Sequence, residues 1–160
     1  MTFGSSAPRQ KSAGGKSRAN NKHVWYHPAL KHKVSSRPEN PSDWLHFDSE
    51  LEFSFYLSLS PVEKANAWLH HALELIPKPN QILWKPDFYF PLEKLIVELK
   101  GEWITAPASN ATKALFIHQV KLAQHAGYQV ILLGSVDFLV GEFQVQNYRN
   151  WRTIRHDDVN

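Results

Sequence analysis

The chain has 160 residues, 42% of them hydrophobic and six of them tryptophan, which suits one domain with a sizeable core and a tail. It contains no cysteine, which excludes disulfides and zinc–thiolate centres and is compatible with a reducing, cytoplasmic setting. Residues 1–38 hold Arg9, Lys11, Lys16, Arg18, Lys22, Lys31, Lys33 and Arg37 with no acid, a charge of +8 against +3 for the whole chain, which leaves −5 on the rest.

Gly4, Ser5, Ser6, Ser12, Gly14, Gly15 and Ser17 are scattered among those cations, so residues 1–38 are expected to be a disordered basic arm and 39–160 the folded domain. An arm of this kind lies along a phosphate backbone in a salt-dependent way, with Arg18 and Lys22 as contacts. The plainer alternative is a solvated tail. Trp25 and Tyr26 are suited to stack on a base or to anchor the arm. His23, His27 and His32 lack the spacing of a helical metal site, and the adjacent His70 and His71 would face apart on a helix, so all are read as non-ligands. No apolar run is long enough to cross a bilayer and no signal-peptide pattern opens the chain, so the expectation is a soluble protein without a membrane partner.

Ser49 followed by Glu52 is a capping box that starts a helix through Phe53, Phe55, Tyr56 and Leu59, with Tyr56 one turn beyond Glu52 on the same face and Glu50 turned to solvent. Pro61 opens a second helix through Ala65, Trp68, Leu69, Ala72, Leu73 and Ile76, stopped by Pro77 and Pro79. Strands are expected over 81–90 and 95–99, joined by the turn Pro91-Leu92-Glu93-Lys94. A polar loop from Thr105 to Asn110 leads to a helix marked by Lys113, Phe116, Val120 and Gln124 that ends near Gly127. Tyr128 to Leu133 then reads as a buried strand parallel to its predecessor after a crossover helix. Phe143, Tyr148, Trp151 and Ile154, with Arg149, Arg152 and Arg155 alongside, suggest a short helix that binds DNA, meets a second protomer or covers the sheet.

The chemistry concentrates between Lys85 and Gly101. Leu95-Ile96-Val97-Glu98-Leu99 is a central strand on which Glu98 and Lys100 point the same way, and Asp87 joins them from the adjacent strand. Ile82-Leu83-Trp84 and Phe88-Tyr89-Phe90 make the surroundings apolar, where grouped carboxylates are costly without a cation. Asp87, Glu98 and the Leu99 carbonyl are the oxygen ligands a hard divalent ion requires, magnesium or, with the same ligands, manganese. Lys100 is then placed to act on an attacking water or on the charge of a phosphate in the transition state. The plain alternative is a half-solvated strand carrying alternating charges beside an ordinary Pro-Asp turn.

Pro86-Asp87 with Glu98-Leu99-Lys100 resembles the signature of the PD-(D/E)xK nuclease superfamily, and the phrases Pro86-Asp87-Phe88-Tyr89-Phe90 and Lys100-Gly101-Glu102-Trp103 resemble the active-site hairpin of the phage junction-resolving endonuclease I family. The resemblance spans roughly Ser49 to Leu133. It implies an α/β, restriction-endonuclease-like core, a central mixed sheet flanked by helices, with Glu52 as the upstream acid that assists catalysis and the metal. It also implies a magnesium-dependent DNA endonuclease leaving a 5′-phosphate, with branched DNA such as a Holliday junction as substrate and a homodimer as the working form, acting in the cytoplasm of a phage-infected host. Homing, transposon-end and restriction-type nucleases share this core, as do non-catalytic DNA-binding and phage assembly proteins. Lys113 and Lys121 are read as weaker DNA contacts, and Gln119 as a water-positioning group.

Overall fold

The computed structural model describes residues 22–159, with side chains described to residue 155. The chain divides into two compact units between Leu57 and Ser58. Arg18 and the rest of residues 1–21 of the expected basic arm lie outside the described residues.

The N-terminal unit pairs β1 (Val24–His27) with β2 (His32–Val34) on one side and β3 (Leu45–Phe47) on the other, all antiparallel, followed by α1 (Glu50–Ser58). Of residues 22–38, assigned to the arm from their composition, Val24–His27 and His32–Val34 are therefore strands of this sheet. Strand alternation explains how a basic segment folds: Val24 and Phe47 are opposite one another and buried, and Tyr26 lies 5.1 Å from the Phe53 ring. Phe47 in turn packs on Phe53 and Tyr56, at 5.6 and 5.2 Å between centroids. Lys33, opposite Tyr26 in the register, shares that face, with its ammonium 5.3 Å from the Phe53 ring centroid and 3.2 Å from the exposed Glu50.

The second unit opens with α2 (Pro61–Asn66), capped by a reciprocal pair of bonds between Ser60 and Glu63. The helix expected through Ile76 stops at Asn66. Trp68–Leu69 is strand β4, and Leu73–Ile76 is strand β5, which pairs with β6 (Ile82–Trp84). Leu73 and Leu75 are buried while Glu74 is exposed, a period of two that outweighs the helical spacing of Leu69, Leu73 and Ile76. The strand expected over 81–90 is likewise divided: Lys85-Pro86-Asp87 separates β6 from β7 (Phe88–Phe90), which belongs to a different sheet.

That sheet has six strands in the order β10-β11-β9-β8-β7-β4, where β8 is Leu95–Leu99, β9 Gln129–Gly134, β10 Phe138–Val140 and β11 Phe143–Asn147. The sheet is mixed. β8 runs parallel to β9, as its sequence suggests, and antiparallel to β7, while β9 runs parallel to β11. All five residues of β8 are buried, which is why its sequence is a continuous apolar run interrupted only by Glu98. Pro91–Glu93 makes the β7–β8 turn, with Lys94 in the left-handed region.

The crossover between β8 and β9 is α3 (Asn110–His125), which buries Phe116, Val120 and Ala123 against Ile96, Tyr89 and Leu132 on one face of the sheet. It ends in a Schellman motif: the Tyr128 amide donates to Ala123 and the Gly127 amide to Gln124, with Gly127 at φ +100°. The expected loop at 105–110 is two short 3-10 turns, Glu102–Thr105 and Pro107–Ser109. The opposite face is covered by α4 (Trp151–Val159), whose Trp151 stacks on Phe90. Unit 2 is thus an α/β structure, a mixed six-stranded sheet with helices on both faces. No helix among the described residues is long and apolar enough to cross a membrane.

Candidate active site

Asp87, Glu98, Leu99 and Lys100 converge where β7 begins and β8 ends. The register opposes Phe88 to Val97, so Asp87 continues the antiparallel pair opposite Glu98. The Pro86 ring helps end β6 before this point, since proline cannot continue a ladder. Backbone and carboxylates then bond across the strands: the Asp87 amide donates to Glu98 Oε1 at 2.9 Å, and the Leu99 amide donates to Asp87 Oδ2 at 2.8 Å. Each acid is thereby held by an amide of the opposing strand, and neither depends on a flexible rotamer alone. His70 donates its amide to the Asp87 carbonyl at 3.2 Å, which fixes Asp87 from the β4 side as well.

Glu98 is 6% exposed and Asp87 half-buried. Glu98 Oε2 lies 3.2 Å from Lys100 Nζ, as the shared face of alternate strand residues requires. The Lys100 ammonium also sits 4.7 Å from the centroid of the Phe116 ring on α3, so the crossover helix sets the position of the cation. The Lys100 amide donates to Leu133 at 2.8 Å, extending the β8–β9 ladder one residue past the strand. Gly134, next in β9, passes so close that a Cβ there would lie 2.8 Å from the Lys100 carbonyl oxygen. Only glycine leaves the Lys100 backbone where it is.

The other sequence-derived candidates are distributed differently. Glu52 belongs to the N-terminal unit, where it is 5% exposed on α1; its amide donates to Ser49 Oγ, and its Oε1 accepts from the Asp48 amide at 3.2 Å. The expected cap is present with the return bond shifted by one residue, and Tyr56 is buried on the same helix. Burial, with the nearby Tyr26, raises the Tyr56 hydroxyl above its ordinary value. Lys22 is exposed in that unit. On α3, Lys113 is half-buried, and Lys121 pairs with Glu142 at 3.1 Å with both side chains exposed.

The C-terminal arginines are engaged within their own fold, and of the three alternatives for this segment the structure shows the helix that covers the sheet. Arg152 and the Trp151 indole both bind Glu63, Trp151 at 3.0 Å, and Arg155 pairs with Glu93. Phe143 lies in β11 and Tyr148 in a 3-10 turn, so the expected apolar stripe is confined to Trp151 and Ile154. Partial burial alone would raise the Glu63 carboxyl, but hydrogen bonds from Arg152, the Ser60 amide and Trp151, with the Arg152 charge, outweigh it and hold it below the ordinary value.

The sequence reading set His23 aside as a non-ligand and did not consider His46 or Asp48. His23, His46 and Asp48 place a ligand atom each within 4.8 Å of one another, all in the N-terminal unit. The signal was strand alternation, which sets His46 and Asp48 two residues apart on one face.

Comparisons of the chain with protein-family models, with curated proteins and with solved structures found no match.

The donor set at Asp87 and Glu98 fits a hard divalent cation in its chemistry: two carboxylates on adjacent strands, each with one oxygen held by an amide. Water would complete the coordination of magnesium, which keeps several of its own.

Proposed function

We propose that the protein is a metal-dependent DNA endonuclease hydrolysing phosphodiester bonds, with a restriction-endonuclease-like core and magnesium as its metal. The observation that carries this reading is the pair of cross-strand bonds that fixes Asp87 and Glu98, together with Lys100 held 3.2 Å from Glu98. A strand whose charges merely faced solvent would not bury its glutamate to 6% exposure.

Asp87, Glu98 and the Leu99 carbonyl would hold the ion. When bound, it supplies charge for a phosphate oxygen and lowers the pKa of a coordinated water. Lys100 stabilises negative charge growing on the phosphate and orients the nucleophile, and its contact with Phe116 keeps the ammonium from swinging away. The Gly134 approach fixes the backbone from which it projects. Glu52 is the assisting acid in this reading, by the resemblance of Ser49-Glu50-Leu51-Glu52 to the upstream acidic helix of the superfamily. DNA is the substrate class, branched DNA the preferred form, and a homodimer the working state, since cutting both strands takes two sites.

The test is cleavage of a labelled four-way junction and a matched linear duplex, with magnesium or EDTA, by the intact protein and by Glu98→Ala. Magnesium-dependent cutting of the junction alone, lost in the variant, is expected. Cutting of both substrates would move the specificity to DNA sequence, as in homing, transposon-end or restriction-type enzymes. Cutting of neither with any metal would overturn the enzymatic reading in favour of a non-catalytic DNA-binding or assembly protein.

A further inference from the structure

We infer that His23, His46 and Asp48 form a second metal site, specific for a borderline transition ion such as zinc, cobalt or nickel, on the sheet of the N-terminal unit. The register builds it. Trp25 opposes His46 and Val24 opposes Phe47, so His23 falls opposite Asp48 as the pairing continues. Val24 and Phe47 turn to the core at 1% and 0% exposure, which sends Trp25, His46, His23 and Asp48 together to the other face.

On that face the donors already stand close. His23 Nδ1 is 2.9 Å from His46 Nε2 and 3.8 Å from Asp48 Oδ1. Ligands at about 2.0–2.2 Å from a tetrahedral ion stand roughly 3.2–3.6 Å apart, so the two distances bracket what coordination demands and small side-chain rotations close the difference. His46 is held in place by the Trp25 ring, 4.4 Å between centroids, and its other ring nitrogen lies 3.7 Å from Asp48 Oδ1. The two imidazole rings stack at 5.0 Å with an interplanar angle of 12°.

Two nitrogens and one carboxylate select a borderline ion over magnesium. Three protein ligands leave a fourth position for water, and the 60% and 56% exposure of the His23 and Asp48 side chains makes the ion exchangeable with solvent. Bound there, it ties the start of β1 to the residue that follows β3, across the antiparallel pair.

The test uses the full chain carrying Glu98→Gln, which weakens metal binding at the β7–β8 site and keeps an acceptor for the Asp87 amide. Cobalt is titrated and followed by its visible absorption, then displaced with zinc, with magnesium in excess throughout. One equivalent should bind with the bands of tetrahedral or five-coordinate cobalt, and zinc should raise the unfolding midpoint. His23→Gln, at an exposed position outside the strand, and Asp48→Asn should each weaken binding by at least about tenfold, with the circular dichroism unchanged. The absence of a bound equivalent, or undiminished affinity in His23→Gln, would overturn the site without touching the nuclease reading.

Discussion

At the scale of single residues, Lys100 and Glu98 carry most of the consequences. Glu98 is buried, and its carboxylate has two uses: Oε1 takes the Asp87 amide and Oε2 faces Lys100. Glu98→Gln keeps the first and loses the second, so it should fold with an unfolding midpoint near that of the parent while losing metal-dependent cleavage; thermal denaturation followed by a cleavage assay checks both. Gly134→Ala works from the backbone. Its new Cβ would meet the Lys100 carbonyl oxygen at 2.8 Å, with a Val145 methyl and the Phe138 ring also in the way, and overpacking of this kind costs about 1–3 kcal/mol. Denaturant unfolding should register that loss, and cleavage should fall further than stability alone explains, because the displaced atom belongs to the residue that carries the cation. Tyr89, raised by burial and by neighbouring Tyr128, stays a neutral hydroxyl on the same sheet face and adds no charge to the site.

Among the elements, legibility in the sequence followed how far one period excluded another. β8 and β9 were readable because buried parallel strands show as unbroken apolar runs, and α3 because Phe116, Val120 and Ala123 repeat only with helical spacing. The segment from Trp68 to Ile76 was not. Leu69, Leu73 and Ile76 satisfy a helix, and only the pairing of Trp68 with Tyr89 and of Leu73 with Trp84 decides for strands. The candidate site was legible at the hairpin, where Asp87, Glu98 and Lys100 are joined by alternation, but the Phe116 and Gly134 contacts come from elements 16 and 34 residues beyond Lys100 and had no local signal. The bond between α2 and α4 was equally invisible, since Glu63 and Arg152 are 89 residues apart. It has a pH consequence. Because the Glu63 carboxyl is lowered in the folded state, its contribution is present above the unfolded glutamate pKa and is lost as pH falls through the lower folded value. Chemical denaturation across the acid range should therefore show Glu63→Gln converging on the parent at low pH and lying below it at neutrality.

For the whole molecule, charge and composition set the expectation of an acidic folded part preceded by basic sequence, yet cations as far along as Lys33 take part in the N-terminal unit. Arg9, Lys11, Lys16 and Arg18 remain as candidates for a backbone-tracking segment. Removing residues 1–21 should weaken DNA binding and flatten its salt dependence by at most about 3–4 in the slope of log affinity against log salt, since each released phosphate counterion contributes about 0.9; fluorescence anisotropy at several salt concentrations measures it. The turnover should survive that deletion at low salt, because the chemistry is assigned to β7 and β8. The most direct measurement of that assignment is the initial rate of magnesium-dependent cleavage of plasmid DNA by the intact protein beside Asp87→Ala and Lys100→Ala. Each variant should fold and lose at least about 10²-fold in rate, the scale of losing one preorganised charge at a transition state. Cleavage by either variant as fast as by the parent would contradict a nuclease centred on Asp87, Glu98 and Lys100.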